Sequence, residues 1–230
     1  MTFLTIGHRG VMGVEPENTL RSYLRAERSG MDVIALDLRL SKDGALVAVH
    51  DPDVDRTTDG SGAVADLTLA ELRGLDAGQG ERVPVLDEVL DAVRCPLLVS
   101  LVDQPSVAAL ADLVRRRDLA SRVEVASAHE VVLAETARLV PGVRTTLLTA
   151  PRAGDTEGVV HRALAVGAAT VAVDVRLVTL ATVEAAHAAG LRITGLAVDT
   201  LDLLRLARAL GLDGAATAFP EIRSTGRFTA

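Results

Sequence analysis

Two of the five histidines lie beside charged residues near the start of the chain, in His8-Arg9-Gly10 and His50-Asp51, and Asp37 falls between them. An imidazole exchanges protons near neutral pH, and a carboxylate beside it can orient the ring or hold a cation. The planar fork of Arg9 suits a phosphate or another anion, or a salt bridge to Glu17 or Asp37. Asp37 reads from its surroundings as the partner of a neighbouring arginine. On extended backbone Ala35, Asp37 and Arg39 share one face, and the turn at Lys42-Asp43-Gly44 folds the chain back so that His50 approaches Asp37. Glu17 and Asn18, next to Pro16, are expected to organise a helix start. Asp51 reads as an orienter of a histidine or as a loop cap, with the cap favoured. His129, His161 and His187 fall in predicted helices or at their edges, where surface or core roles are expected. The acidic run from Asp53 to Asp59 lacks the closing Glu of a calcium loop and reads as turn chemistry around Gly60 and Gly62.

These residues need a frame to hold them, and the chain supplies a rhythm of short apolar strand, loop and amphipathic helix. Strands are predicted over 3–7, 33–38, 97–102, 123–126, 143–148, 170–173, 191–197 and 214–217. Helices are predicted over 19–29, 86–93, 106–117, 129–139, 157–166, 180–189 and 201–210. Eight strands alternating with helices favour a (β/α)8 TIM barrel over residues 1–230 as one domain. No Gly-x-Gly-x-x-Gly follows the first strand, which removes the main signal for a dinucleotide fold. Residues 41–85 break the rhythm and are expected to form a loop-rich insertion after the second strand, capping one end of the barrel. Chemistry in such barrels sits at the carboxyl ends of the strands. His8, Arg9, Asp37, Asp103, Asp174 and Asp199 all lie there, and His50 joins them through the hairpin.

Composition narrows the partners. A net charge of −7 argues against nucleic acid or an anionic membrane surface. Aromatics at 2% with no Trp leave no stacking platform for single strands and a core of Leu, Val and Ala. Cys95, the one cysteine, excludes an internal disulfide and a multi-cysteine metal site and reads as a small buried filler. No apolar stretch reaches the roughly 18 residues of a membrane span. The first residues read as a strand rather than a signal peptide, so a cytoplasmic location without membrane insertion is expected; the oligomeric state is left open.

A longer string of motifs then falls into order: His8-Arg9-Gly10, Glu15-Pro16-Glu17-Asn18-Thr19, Ser41-Lys42-Asp43-Gly44, Val49-His50-Asp51, Asp55-Arg56-Thr57-Thr58-Asp59-Gly60, Val83-Pro84-Val85-Leu86-Asp87-Glu88 and Gly211-Leu212-Asp213-Gly214. Over nearly the whole chain this resembles the glycerophosphodiester phosphodiesterase family. The resemblance implies a barrel with an insertion after its second strand. It implies His8 and His50 as the general acid and base on a small-molecule phosphodiester, Arg9 on the phosphate, and a divalent Mg²⁺ or Ca²⁺. The chain departs from the family pattern at the metal. Ala35 stands where a Glu is expected two residues before Asp37, and Ser100 and Val102 stand where a Glu and a Lys are expected. Leu196-Ala197-Val198-Asp199 replaces Trp-Thr-Val-Asn, and Thr217-Ala218-Phe219-Pro220 replaces Thr-Asp-x-Pro. The expectation is a phosphoric diester hydrolase with an eroded metal site, in which Asp37 binds Mg²⁺ or Ca²⁺ weakly or no metal is held; Asp103, Asp174 or Asp199 are the carboxylates that could stand in. The alternatives are a catalytically degenerate member that binds a phosphate or another anionic ligand in a regulatory role, or altered metal-independent chemistry.

Overall fold

The computed structural model describes residues 2–150 and 156–224. Its elements follow one another as β1 (Leu4–Gly7), α1 (Leu20–Arg28), β2 (Val33–Leu40), β3 (Leu46–Ala48), α2 (Leu69–Arg73), α3 (Leu86–Ala92), β4 (Leu97–Ser100), α4 (Gln104–Arg117), β5 (Val123–Ser127), α5 (Glu130–Leu139), β6 (Arg144–Thr149), α6 (Thr156–Ala165), β7 (Thr170–Asp174), α7 (Leu180–Ala188), β8 (Arg192–Leu196), α8 (Leu201–Ala209), β9 (Gly214–Thr217) and α9 (Glu221–Ser224). Eight strands, β1, β2 and β4 to β9, pair in parallel, and β1 pairs with both β9 and β2, so the ring closes. This is the eight-stranded barrel that the strand count predicts. β3 lies outside the ring, antiparallel to the end of β2 with Leu38 opposite Ala48.

Short polar caps set where the helices begin. Thr19, Thr68, Asp103, Thr179 and Thr200 each accept a backbone N–H of the first turn that follows, which satisfies a donor the helix cannot. The Asp103 cap starts α4 at Gln104, two residues before the predicted start. It also ends β4 at Ser100 rather than 102, because the chain must leave the sheet to reach the cap.

Alternation along the strands divides the barrel into layers. Leu36, Leu38, Val99, Val125, Leu147, Val171 and Ile193 face outward into one large core beneath the helices. Ile6, Leu98, Ala126 and Ala216 form a separate cluster, with Val33, Ala35, Leu148 and Leu196 packed on it. These residues face the barrel axis and fill its middle with alkyl groups.

The insertion carries more order than its sequence suggests. Besides β3 it holds a 3-10 turn (Val64–Asp66) and α2, whose Thr68 and Glu71 form a reciprocal capping box. Val47, Val49, Val54, Val64, Leu72, Ala77 and Val83 give it a small core of its own. Among the described residues no helix is long and apolar enough to cross a membrane. Cys95 is half-buried against the main core rather than fully enclosed.

Candidate active site

His8 follows directly on β1. Its N–H still donates to the Thr217 carbonyl at 2.8 Å, so the ladder with β9 runs one residue past the strand and carries the imidazole to the carboxyl end of the barrel. The chain then turns sharply. Arg9 takes φ 49° and Gly10 φ 82°, a conformation that costs a non-glycine residue about 1 kcal/mol. A Cβ on Gly10 would collide with Ser22. The turn is pinned to the start of α1, because the Arg9 carbonyl accepts from Asn18 N at 3.2 Å and from the Ser22 hydroxyl at 3.0 Å.

The turn places the Arg9 side chain between two carboxylates. Nη1 donates to Glu17 Oε1 at 2.8 Å. Nε lies 2.9 Å from Asp37 Oδ2 but out of hydrogen-bond alignment with it, so this contact is an ion pair only. Asn18 Nδ2 donates to the same Asp37 oxygen at 3.1 Å, and Asn18 Oδ1 accepts from the Asp37 N–H at 3.3 Å and the Tyr23 hydroxyl at 3.0 Å. Glu17 and Asn18 therefore belong to the site rather than only to the helix start.

His50 does not pair with Asp37 as the hairpin predicts. The antiparallel register sets Leu38 opposite Ala48, and β3 ends there. The acid at the ring is Asp51, whose Oδ1 lies 2.7 Å from His50 Nδ1, so the capping role expected for Asp51 gives way to an orienting one. Arg39 fixes the backbone from the other side, with Nε and Nη2 donating to the His50 carbonyl at 2.9 and 2.7 Å. Arg56, from the glycine-rich part of the insertion, donates to Asp51 Oδ2 at 2.5 Å and to both oxygens of Glu17 at 2.8 Å. A continuous chain of charges thus runs from His50 through Asp51, Arg56, Glu17 and Arg9 to Asp37.

The electrostatics separate the two imidazoles. Burial pushes the His8 pKa below its usual 6.5, with Arg9 adding to the effect and Asp37, Asp199 and Glu17 opposing it. Among the described residues nothing hydrogen-bonds the His8 ring, whereas the half-exposed His50 ring is held by Asp51. Arg56, with His50, brings Asp51 down to about 2. Burial would raise the Glu17 pKa, but the two guanidiniums outweigh it and the net shift is downward.

The residues present do not fit the divalent metal that the resemblance implies. Asp37 and Ser100 are register partners on β2 and β4, so a hydroxyl stands where a second carboxylate would, and Ala35 belongs to the apolar middle layer. One oxygen of Asp37 is engaged by Arg9 and Asn18. Asp103 caps α4, and Asp174 pairs with Arg176. Asp199 accepts from the Thr217 hydroxyl and the Ala218 N–H. None of the three replaces the absent glutamates, and among the described residues no group of three or more His, Cys, Asp or Glu side chains could hold a metal ion. The remaining histidines stay apart from the site: His129 precedes α5, and His187 lies on α7 with Nε2 3.0 Å from Asp213.

Comparison with known proteins identifies the family. Residues 8–222 match the glycerophosphoryl diester phosphodiesterase family. The YhdW protein of Bacillus subtilis strain 168 is 32% identical over 229 residues, covering 94% of both chains. The glycerophosphodiester phosphodiesterase of Caldanaerobacter subterraneus is 36% identical over 163 residues, 64% of this chain and 67% of that one. An Oleispira antarctica phosphodiesterase, solved in complex with the product sn-glycerol-3-phosphate, superposes with a TM-score of 0.88 at 26% identity, covering 96% of this chain and 95% of that one. With the barrel, its insertion and the two histidine motifs in place, the chain belongs to the glycerophosphoryl diester phosphodiesterase family.

Proposed function

We propose that this chain hydrolyses glycerophosphodiesters to glycerol 3-phosphate and a free alcohol, with His8 as general base and His50 as general acid. The observation that carries the reading is the unbroken chain of charges that links the acid holding His50 to the arginine following His8. The buried ring of His8, disfavoured as a cation, takes a proton from the attacking water. The bond from phosphorus to the alcohol oxygen breaks, and His50 gives its proton to that departing oxygen. Asp51 on Nδ1 fixes the ring so that Nε2 faces the substrate. Arg9 meets the phosphate with the edge of its guanidinium that Glu17 does not occupy. Support for the substrate class comes from the Oleispira relative and its bound product. The reading routes no step through a metal, because the donor set does not suit one. It extends to phospholipid head-group turnover in the cytoplasm, a setting in which a lone cysteine is unremarked.

The test is hydrolysis of glycerophosphocholine and of bis(p-nitrophenyl) phosphate in Mg²⁺, in Ca²⁺ and in EDTA. Turnover is expected in all three, with a loss of about a hundredfold or more in His8→Ala and in His50→Ala. No turnover in any condition overturns the reading, and turnover confined to added metal overturns its metal-free form.

A further inference from the structure

The barrel has a second polar end. At the amino ends of the strands, opposite the histidines, the bore opens into a cavity of about 460 Å³ lined by the first residues of most of the barrel strands. Pockets of roughly 300–1,000 Å³ are the size that holds small molecules. The barrel strands bring no aromatic ring to this bore.

Two chemistries meet in the cavity. Its walls are alkyl, from Leu4, Ile6, Val33 and Leu98. Its polar side is cationic, with Arg122, Arg144 and Arg192 against Asp32 and Glu124. Asp32 Oδ2 accepts from the Thr5 N–H at 2.8 Å and from the Thr5 hydroxyl at 2.6 Å. Arg122 is committed to the carbonyls of Leu90 and Val93 at the end of α3. Three arginines against two carboxylates leave the lining one positive charge in surplus, and Arg144 and Arg192 share the carboxylate of Glu124. Arg192 Nη2 donates to Glu124 Oε2 at 3.1 Å and to Thr170 at 2.9 Å, while its Nε is buried with no partner. Arg144 comes only within 4.0 Å of Glu124 and stands half-exposed. Arg144, 4.0 Å from the one carboxylate it approaches, keeps its guanidinium donors for an acceptor that enters the cavity, and an alkyl wall beside it selects an acceptor that carries an apolar body.

We infer that this amino-terminal cavity binds a small aliphatic carboxylate, with the head group on Arg192 and Arg144 and the alkyl chain in the bore. The apolar middle layer separates this ligand from the histidines, so both ends can be filled together.

Octanoate is the probe, titrated calorimetrically into the full chain at low salt, with octanol as the uncharged control. One octanoate per chain is expected, with octanol binding more weakly. Arg144→Gln, at a half-exposed position, should retain the fold and weaken octanoate by about tenfold. Val33→Phe, which fills the bore, should weaken both probes and leave phosphodiester turnover unchanged. Glycerol 3-phosphate should not displace octanoate. The inference is overturned by an absence of octanoate binding at millimolar concentration, by affinity that neither substitution changes, or by displacement with glycerol 3-phosphate, which would put octanoate at the histidines. None of these outcomes bears on the hydrolase reading, which the turnover assay tests at the other end.

Discussion

Asp37 on β2 and Ser100 on β4 are direct register partners in the barrel wall, one strand spacing of about 4.8 Å apart, and both face the carboxyl mouth. A carboxylate at position 100 would therefore stand beside the one at 37. Wild-type protein is expected to show no heat of Mg²⁺ or Ca²⁺ binding at sub-millimolar concentration. Ser100→Glu with Ala35→Glu should produce measurable calcium binding by calorimetry. A double variant that remains silent would show that Arg9 and Asn18 keep Asp37 from any cation.

Asp51 touches the His50 ring at Nδ1, so in the proposed reaction it acts through that ring. Asp51→Asn should lower kcat about tenfold to a hundredfold with KM nearly unchanged, and it should move the pH–rate profile. Arg56 keeps Glu17 as a partner in that variant, so the melting temperature should fall little. A loss of stability with an unmoved profile would make Asp51 a structural residue only.

The pH dependence follows from the direction of the His8 shift. Its folded-state pKa is below 6.5, so as pH drops below 6.5 the unfolded chain takes up a proton that the folded ring resists. The contribution of His8 to stability is complete above pH 6.5, is lost as pH falls towards the folded pKa, and levels off below it. His8→Gln should flatten the denaturant-measured stability across that window. In the active protein the acid limb of kcat/KM should lie below pH 6.5, and nuclear magnetic resonance titration of the ring checks the same value directly.

Ala197, exposed just after β8, takes φ 56°. Glycine relieves that conformation, so Ala197→Gly should raise stability by roughly 0.5–1 kcal/mol, read from a urea midpoint. An unchanged or lowered midpoint would mean that the loop relaxes around the alanine.

The barrel and the histidine motifs were legible because both depend on order along the chain: apolar runs at strand length, and His8 and His50 in fixed surroundings. The partners of those histidines were not, because they depend on contacts between loops. Arg56 meets Glu17 across 39 positions, and no local pattern in either segment announces the other. Of the two roles the sequence allows Asp51, the hairpin hides the orienting one for a related reason. A hairpin brings residues opposite one another only while its ladder lasts, and β3 stops at Ala48, two residues short of His50. Tyr23, the one tyrosine, is fully buried with its hydroxyl on Asn18. Its rarity is the one mark of that role in the sequence. The order within the insertion was missed because its apolar residues are spaced irregularly, as suits a small core assembled from turns.

The alkyl layer across the middle of the bore, Ile6, Leu98, Ala126 and Ala216 with Ala35 packed on it, closes the bore as a septum. Ligands at the two mouths are held apart by it, whereas a charge at either mouth is felt through it more strongly than through water. Ala35 adds one methyl group to that septum on the side of the histidines, where a carboxylate would stand against alkyl neighbours.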